Sequence, residues 1–325
     1  MKTARCLGWL LAGLLAAGQG WAQDPAANYP SRPVRWVIPF TPGASNDIIG
    51  RLIGSKLSEA LGQQFIIDNR PGAGGVVGAE TVARANPDGY TLILTNPGPS
   101  VNNILLRKNP SYKMSDFVPI VWMGYTPFYV MASLSFPPRT AREIVDYAKA
   151  NPGKVSWASS GMGSGPHIAL AVFQLSTGIN VVHVPYKGTV QPLIDMIGGQ
   201  IQLLSTTTVS AETQIKAGRI KVLAVQAKKR TAVMPHIPAL EEQGIRNAEA
   251  IVWFGMSAPA KTPRPILDKL NREVNKALQM ADVRQRLDQL GLEIEGGTAE
   301  KFDAFIKSEA ARLTGLIKAG ALQVE

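Results

Sequence analysis

The sequence contains a single cysteine, and this scarcity excludes several kinds of chemistry. Cys6 lies ahead of an apolar stretch near the N-terminus, so the chain after that stretch has no thiol. Disulfide bonds, thiolate nucleophiles and cysteine-ligated metals are therefore excluded there. The three histidines, His167, His183 and His236, lack the spacing of zinc ligands, and carboxylates do not cluster. We expect neither a metal nor any other cofactor.

No apolar run is long enough to span a bilayer. The most apolar segment, residues 7–17, follows Lys2 and Arg5 and precedes the small residues of Gly20-Trp21-Ala22. This order is typical of a secretory signal peptide cleaved after Ala22. The sequence thus predicts export. The missing cysteines favour the periplasm over a small, disulfide-rich extracellular module.

Clustered positive charge is also absent, although the chain is basic overall. It has 34 Lys and Arg against 24 Asp and Glu, a net charge of +10, and only Lys228-Lys229-Arg230 form a run. Nucleic-acid-binding proteins usually carry a basic stripe interleaved with aromatic residues, so we expect no nucleic-acid partner. The positive field suits an anionic small ligand or a negative membrane surface. It is equally compatible with a basic surface that has no special role.

The stretch from Val34 to Leu61 predicts a strand, a loop and a helix. Its first seven residues are apolar and β-branched, as in a buried strand, and from Ile48 onwards apolar residues recur at helical spacing. Ser45 and Asn46 are good N-cap residues, and Gly62 is typical of a helix end. Such a junction directs backbone N–H groups and the positive end of a helix dipole towards an anion.

Strands and helices alternate along most of the chain, which predicts parallel sheets with right-handed crossovers and ligands at the carboxyl ends of the strands. The alternation restarts after residues 125–127, and a long apolar strand at 250–257 is interpreted as a return connection. We therefore predict an α/β fold of two lobes, each a mostly parallel sheet flanked by helices, joined by two crossing strands around a cleft. The predicted segments are the signal peptide at 1–22, a first lobe from 23–125 and 250–325, and a second lobe from 126–249.

Three strand-to-helix loops rich in glycine and hydroxyl groups are candidates for a ligand site: 41–47, 159–165 and 205–208. Backbone N–H and hydroxyl donors at helix N-termini can bind a carboxylate without a basic side chain. Each loop alone is equally well explained by caps and turns, but three loops facing one cleft favour binding. Including neighbouring strand-end residues, the candidate ligand-binding residues are Phe40, Thr41, Gly43, Ala44, Ser45, Asn46, Asn96, Ser159, Gly163, Ser164, Tyr186, Thr206 and Thr207.

Two other interpretations compete with carboxylate binding. Residues 72–78 approach the dinucleotide pattern G-x-G-x-x-G, but Val77 stands in place of the third glycine and a polar, proline-broken segment precedes it. Ser164 lacks the surroundings of a G-x-S-x-G nucleophile. Its nearness to His167 still leaves an exported esterase as the alternative function.

Several sequence blocks, in order, resemble one protein family: PFTPGASND, DNRPGAGGVVGAE, NPDGYTL, ANPGKVSWASSGMGSGPH, VVHVPYKG and IKAGRIKVLAV. They resemble the solute-binding receptors of tripartite tricarboxylate transporters (TctC-like or Bug proteins), from Tyr29 to the C-terminal helix. The resemblance implies a monomeric, non-enzymatic periplasmic binding protein of type II-like architecture. Such a receptor captures a small carboxylate through loops matching 41–47 and 159–164, partly through ordered waters. It hands the ligand to a membrane transporter or, alternatively, serves a sensor kinase.

The sequence departs from the family pattern in two of these loops. The first loop usually reads PPGG-x-x-D, but Thr41 and Ala44 replace a proline and a glycine here. Members commonly carry F-D-N where this chain has Ser205-Thr206-Thr207. Loss of that acid removes a partner for a ligand ammonium group. The departures therefore predict a carboxylate without an amino group, namely a dicarboxylate, a tricarboxylate or an aromatic acid.

Overall fold

The computed structural model describes residues 26–320, 322 and 324, so the predicted signal peptide at 1–22 lies outside the described residues. The strands are β1 (Val34–Ile38), β2 (Phe65–Asn69), β3 (Thr91–Thr95), β4 (Phe117–Pro127), β5 (Tyr129–Ser133), β6 (Ser156–Ser159), β7 (Val182–Pro185), β8 (Leu203–Thr206), β9 (Ile220–Val225), β10 (Ile251–Pro259) and β11 (Glu293–Ile294). The α-helices are α1 (Ser45–Leu61), α2 (Val76–Ala83), α3 (Asn103–Leu105), α4 (Ala141–Ala150), α5 (Gly165–Thr177), α6 (Val190–Ile197), α7 (Thr208–Lys216), α8 (Arg264–Gln279), α9 (Ala281–Leu290) and α10 (Ala299–Lys318). Single 3₁₀ turns lie at Ala73–Gly75, Met114–Asp116 and Glu241–Gln243, and a π-helical turn at Gly98–Asn102.

The strands form two separate sheets. The first sheet has six strands in the order β11-β4-β10-β3-β1-β2, and the second has five in the order β7-β6-β8-β5-β9. All strands of the second sheet come from one continuous part of the chain, between Tyr129 and Val225. The predicted α/β fold, with two sheets flanked by helices, is confirmed.

Both sheets are mixed, whereas the sequence predicted mostly parallel ones. Strand β1 pairs in parallel with β2 and β3, but β10 runs antiparallel to β3 and β4. In the second sheet β6 pairs in parallel with β7 and β8, and β5 runs antiparallel to β8 and β9. The antiparallel pairs all involve strands next to the chain passages between the sheets or the short edge strand β11. Apolar runs do not reveal strand direction, which explains the difference.

The two passages of the chain between the sheets lie side by side. Strand β4 ends at Pro127 opposite Ile251 of β10, and Phe128 follows directly. The backbone N–H of Phe128 donates to the carbonyl of Ala250 at 2.9 Å, and the N–H of Gln226 donates to the carbonyl of Phe128 at 2.8 Å. The two passages therefore form one hydrogen-bonded connection between the sheets.

The C-terminal helix packs across the first sheet through aromatic contacts. Phe305 of α10 stacks on Trp122 of β4 with ring centroids 3.9 Å apart, and Phe302 meets Trp253 of β10 edge-on at 5.7 Å. A Cβ on Gly255 would lie 2.1 Å from the Phe302 ring, so the glycine lets the ring reach the sheet. Burial of these rings contributes several kcal/mol at roughly 25 cal/mol per Å² of apolar surface.

Among residues 26–320, 322 and 324, no helix combines the length and apolar character that crossing a bilayer requires.

Candidate functional site

A small cavity lies between the two sheets, where strands from both sheets end and helices begin. Its volume is about 30 Å³. Phe40, Asn96, Thr206 and Thr207 follow or end strands β1, β3 and β8, and Val252 lies in β10. The lining consists of Phe40, Ser45, Asn46, Asn96, Pro97, Phe128, Ser160, Gly165, Pro166, Thr189, Thr206, Thr207, Ser210 and Val252.

The lining is polar but carries no formal charge. It contributes hydroxyl groups from Ser and Thr, two Asn side chains and the first turns of helices, and none of the described residues that line it is acidic or basic. Such donors can stabilise an anion through charge-assisted hydrogen bonds. An ammonium group entering the cavity would find no carboxylate among these lining residues.

Helix α1 points its first turn at the cavity without a side-chain cap. Its N-cap residue is Ala44, whose extended backbone (φ −72°, ψ 161°) places Ser45 and Asn46 inside the first turn rather than at the predicted cap position. In contrast, the side chains of Ser164 and Thr207 cap α5 and α7. Alanine has no side-chain oxygen, so the N–H groups of the first turn of α1 are left for other acceptors.

One of those N–H groups is hydrogen-bonded to a residue of α7, the helix that follows strand β8 of the second sheet. The backbone N–H of Ser45 donates to the hydroxyl oxygen of Ser210 at 3.0 Å. Ser210 lies in the first turn of α7, where its own N–H donates to Thr207 Oγ1 at 3.3 Å. The positive ends of two helices, one from each lobe, therefore meet at the same edge of the cavity.

Asp47 fixes the first loop and is not available to a ligand. Its carboxylate accepts hydrogen bonds from the Gly43 N–H at 2.9 Å and from Asn69 Nδ2 at 3.0 Å, and it pairs with Arg51 at 2.9 Å. Burial alone raises the pKa of this carboxyl, but the hydrogen bonds from Arg51, Gly43 and Asn69 outweigh it and hold the pKa below its ordinary value. The Asp47 carboxylate thus holds the loop before α1 against the first turn of that helix.

Asn46 and Asn96 are held in fixed orientations. Asn96 Nδ2 donates to Asn46 Oδ1 at 2.7 Å, and Asn96 Oδ1 accepts from the Gly98 N–H at 3.1 Å. Since the oxygen of Asn46 is occupied as an acceptor, its amide N–H₂ is the group available to bind an anionic guest.

In the second predicted loop, 159–165, the residues that line the cavity are not the ones predicted to bind the ligand. Ser160 and Gly165 line the cavity. Ser159, in contrast, is fully buried with its Oγ 2.7 Å from His183 Nε2, and Ser164 is buried as the cap of α5. Successive residues of a strand end point to opposite sides, which is why Ser160 faces the cavity when Ser159 does not.

The arrangement of Ser164 and His167 differs from that of a catalytic pair. Ser164 Oγ accepts from the backbone N–H of His167 at 3.4 Å, while His167 Nδ1 accepts from the Gly163 N–H at 3.1 Å. Burial, followed by the nearby His183, lowers the pKa of His167 to about 4. The imidazole is therefore neutral and engaged with the backbone, and no serine hydroxyl of residues 26–320 donates to it. This geometry disfavours the esterase interpretation.

Four further candidates lie in contacts around the cavity rather than in its lining. The Thr41 side chain is buried against Gly188, and Gly43 donates to Asp47. A Cβ on Gly163 would lie 2.5 Å from Asn103 Oδ1, and the hydroxyl of Tyr186 donates to Asp195 Oδ2 at 2.6 Å. Of the predicted set, Phe40, Ser45, Asn46, Asn96, Thr206 and Thr207 line the cavity, and Thr41, Gly43, Ala44, Ser159, Gly163, Ser164 and Tyr186 do not.

Three polar lining residues are missing from the predicted candidates: Ser160, which lies in the predicted loop 159–165, and Thr189 and Ser210, which lie outside the predicted loops. Thr189 is the residue before α6, and Ser210 lies in α7. Thr189 lies in the junction between strand β7 of the second sheet and helix α6. Treating this junction as a ligand-binding loop, like the three predicted ones, would have identified Thr189. Phe128 and Val252 also line the cavity, and no local motif distinguishes them from ordinary strand residues.

The glycine-rich turn at Ala73–Gly75 is occupied by a contact between loops. A Cβ on Gly74 would lie 2.2 Å from the carbonyl oxygen of Met162, and Asn103 Nδ2 donates to the Gly74 carbonyl at 3.1 Å. The turn therefore packs against the loop before α5, which leaves no space for a pyrophosphate. Close packing between loops therefore explains the glycine at position 74 of the dinucleotide-like pattern.

Comparison with protein families gives one match along most of the chain. Residues 49–322 match the model of the family described as "Tripartite tricarboxylate transporter family receptor". A protein from the tcbD–tcbE intergenic region of Pseudomonas sp. strain P51 is 36% identical over 290 residues, which cover 89% of this chain and 86% of that protein.

Solved structures of similar proteins share the whole architecture. The periplasmic binding protein BugD has a TM-score of 0.86 at 34% identity, covering 91% of this chain and 100% of BugD. Rpa4515 of R. palustris, solved with adipate, has a TM-score of 0.88 at 32% identity and covers 91% of this chain and 99% of Rpa4515. MatC of Rhodopseudomonas palustris, solved with malate, has a TM-score of 0.84 at 30% identity and covers 87% of this chain and 98% of MatC.

Proposed function

The chain belongs to the tripartite tricarboxylate transporter receptor family, and from that premise we propose that it binds a small carboxylate without an amino group in the cavity between its sheets. The ligand class is a dicarboxylate, a tricarboxylate or an aromatic acid. We further propose that the protein works in the periplasm after removal of residues 1–22, as a monomer without catalytic activity. Its partner is a membrane transporter rather than a sensor kinase, because the family description names the transporter.

The observation that carries the proposal is the composition of the cavity lining. The uncapped first turn of α1, the amide of Asn46 and the hydroxyls of Ser160 and Thr206 are donors around one small space. Backbone N–H groups at a helix N-terminus and hydroxyl groups together are sufficient to bind a carboxylate. The relatives solved with adipate and malate hold dicarboxylates, which agrees with this chemistry.

The absence of an acidic lining residue supports ligands without an ammonium group. The family resemblance implies that many members carry an acid where this chain has Thr206, which is 2% exposed at the end of β8. A ligand ammonium placed there would lose its water without gaining an ionic partner, which costs several kcal/mol. An aspartate or glutamate ligand is therefore expected to bind much more weakly than the matching plain dicarboxylate.

The size of the cavity indicates that binding involves movement of the lobes. At about 30 Å³ it is far smaller than the roughly 300 Å³ of typical ligand pockets. The ligand must enter when the sheets are further apart and then favour the conformation in which both lobes donate to it. A four-carbon dicarboxylate has about eight heavy atoms and a ceiling near 12 kcal/mol, so the ~8 kcal/mol of micromolar binding leaves room for the cost of closure.

Calorimetry on the purified protein tests the proposal. Succinate, malate, adipate, citrate and benzoate would be titrated alongside aspartate and glutamate, and a thermal-shift screen would extend the set, since ligands that bind only the folded state raise the melting temperature. We expect at least one plain carboxylate to bind with micromolar affinity. Tight binding of aspartate or glutamate, with no binding of the others, would refute the ligand class.

A further inference from the structure

A second cavity lies beside the first sheet and shares no lining residue with the cavity between the sheets. Its volume is about 260 Å³, several times that of the intersheet cavity. Strands β3, β4 and β10, the Met114–Asp116 turn and helix α10 enclose it. The lining residues are Ile93, Thr95, Ser100, Met114, Ser115, Phe117, Pro119, Ser257, Asp303, Ile306 and Lys307.

An irregularity in strand pairing lies next to this cavity. Pro119 of β4 stands opposite Ser257 of β10, and the register of the two strands shifts between Met256 and Ser257. Proline has no N–H to donate to a neighbouring strand, and a register shift bends the strand locally. The sheet is therefore irregular at the point where α10 crosses it, and Ile306 of that helix forms the opposite wall.

The inner end of the cavity presents two buried hydroxyl groups. Thr95 Oγ1 donates to Ser257 Oγ at 2.6 Å, and the two residues are only 3% and 1% exposed. The Ser257 hydroxyl thus accepts a hydrogen bond, but it donates to no acceptor within residues 26–320, 322 and 324. A buried donor without an acceptor is destabilising, so an acceptor atom on a guest would relieve that cost.

The walls and the mouth of the cavity determine the polarity and the charge of the molecule that it can bind. Ile93, Phe117 and Ile306 provide apolar walls. At the rim, Lys307 Nζ lies 2.6 Å from Asp303 Oδ2, and both side chains are largely exposed, at 72% and 43%. The two charges among the lining residues sum to zero, so the lining offers no net charge to an ionic guest. The cavity therefore suits an uncharged molecule, in contrast to the site between the sheets.

We propose that this cavity is a second ligand site, for a small neutral organic molecule with an apolar body of about one ring and a carbonyl-type acceptor that binds the Ser257 hydroxyl. The volume approaches the lower limit of small-molecule pockets. The site stands whether or not the other cavity binds a carboxylate, because the two share none of their lining residues among 26–320, 322 and 324.

Calorimetry with three matched probes tests the chemistry of the site. Acetophenone carries a ring and a carbonyl, ethylbenzene has the same shape without the acceptor, and benzoate adds a charge. We expect acetophenone to bind about five- to tenfold more tightly than ethylbenzene, the usual effect of one hydrogen bond. Benzoate is expected not to compete with acetophenone. Substitution of Ser257→Ala together with Thr95→Val, which removes the neighbouring hydroxyl that Ser257→Ala alone would leave free to donate, should make acetophenone and ethylbenzene bind equally.

A blocking substitution tests the location. Ser115 is exposed at the mouth on the Met114–Asp116 turn, so Ser115→Trp should abolish acetophenone binding without disturbing the core. Ser55→Trp, on an exposed face of α1, is the matched control and should leave binding unchanged. The proposal is overturned if the wild type binds no acetophenone at millimolar concentration. It is equally overturned if the double variant Ser257→Ala with Thr95→Val and the variant Ser115→Trp leave binding as it was.

Discussion

The backbone N–H of Ser45 donates to the hydroxyl of Ser210 at 3.0 Å, so the first turns of α1 and α7 are hydrogen-bonded to each other at the edge of the cavity. Ser45 belongs to the helix that follows the first sheet's strand β1, and Ser210 to the helix that follows β8 of the second sheet. The contact requires that both sheets approach along their strand ends. Variants that remove this hydrogen bond therefore test two proposals: that the lobes close on a ligand, and that donors at the helix N-termini bind it.

Removal of the Ser45 N–H should weaken ligand binding without unfolding α1. Ser45 is the first residue of the helix, where proline is well tolerated, and the extended backbone of Ala44 suits a residue before proline. We expect Ser45→Pro to reduce carboxylate affinity about tenfold, while Ser45→Ala, which keeps the N–H, changes it little. Calorimetry measures both. Equal affinities of the two variants would contradict a role for this N–H.

An acid restored at position 206 should shift the ligand preference towards amino acids. In Thr206→Asp a carboxylate would line the cavity, repel a second ligand carboxylate and offer a partner to an ammonium group. We expect succinate affinity to fall at least tenfold and aspartate affinity to rise. Thr206→Asn has the same shape without the charge and is the control. If Thr206→Asn changed the preference as much as Thr206→Asp, charge would not be the determinant.

Gly74 should be required for closure rather than for folding. A Cβ there would lie 2.2 Å from the Met162 carbonyl oxygen, whereas a Cβ on Gly62 would meet nothing within 4 Å. The two glycines have nearly equal φ angles, 66° and 69°, so Gly62→Ala carries the same backbone strain without the clash. We expect Gly74→Ala to reduce ligand affinity strongly and Gly62→Ala to leave it unchanged, with about 1 kcal/mol lost from stability in each. Calorimetry measures the change in ligand affinity, and urea unfolding measures the change in stability.

The ion pair between Arg286 of α9 and Glu212 of α7 should make a small, salt-dependent contribution to closure. The nitrogen and oxygen are 3.1 Å apart, and the side chains are 40% and 24% exposed. Partly exposed pairs are worth less than about 1 kcal/mol and are screened by salt. We expect Arg286→Gln to weaken ligand binding up to fivefold at low salt and by less at high salt. Lys216→Gln removes the other partner of Glu212, on the same helix, and should have no such effect.

Stability should fall with acid because of His167. Burial lowers its pKa from 6.5 to about 4, so between these values the unfolded chain binds a proton that the folded protein does not. The free energy of unfolding therefore decreases as the pH falls through this window, by on the order of 2 kcal/mol. Urea unfolding at pH 7 and pH 4.5 measures the change.

The His167→Asn variant should lessen this acid sensitivity while keeping an acceptor for the Gly163 N–H. His236→Asn replaces an exposed histidine and is the control. An unchanged loss of stability in His167→Asn would show that other groups cause the acid effect.

Helix and strand positions could largely be predicted from the sequence, because they depend on local periodicity and on punctuation by glycine and proline. The strand and helix predicted between Val34 and Leu61 correspond to β1 (Val34–Ile38) and α1 (Ser45–Leu61), and Gly62 ends α1 in the left-handed conformation. The prediction that Ser45 or Asn46 caps α1 was wrong. Ser45 has the right chemistry for a cap, but the chain turns one residue earlier, at Ala44.

The sequence by itself determined the elements, the family and the loops that meet at the cavity, because each is encoded in short, contiguous stretches. Only the tertiary structure decided which residues of those loops line the cavity. Ser160 lines it and Ser159 binds His183, because strand geometry sends neighbouring side chains to opposite sides. Strand direction and the packing of distant segments, such as Ser210 against Ser45, depend on contacts between residues far apart in the chain. Such contacts leave no local pattern.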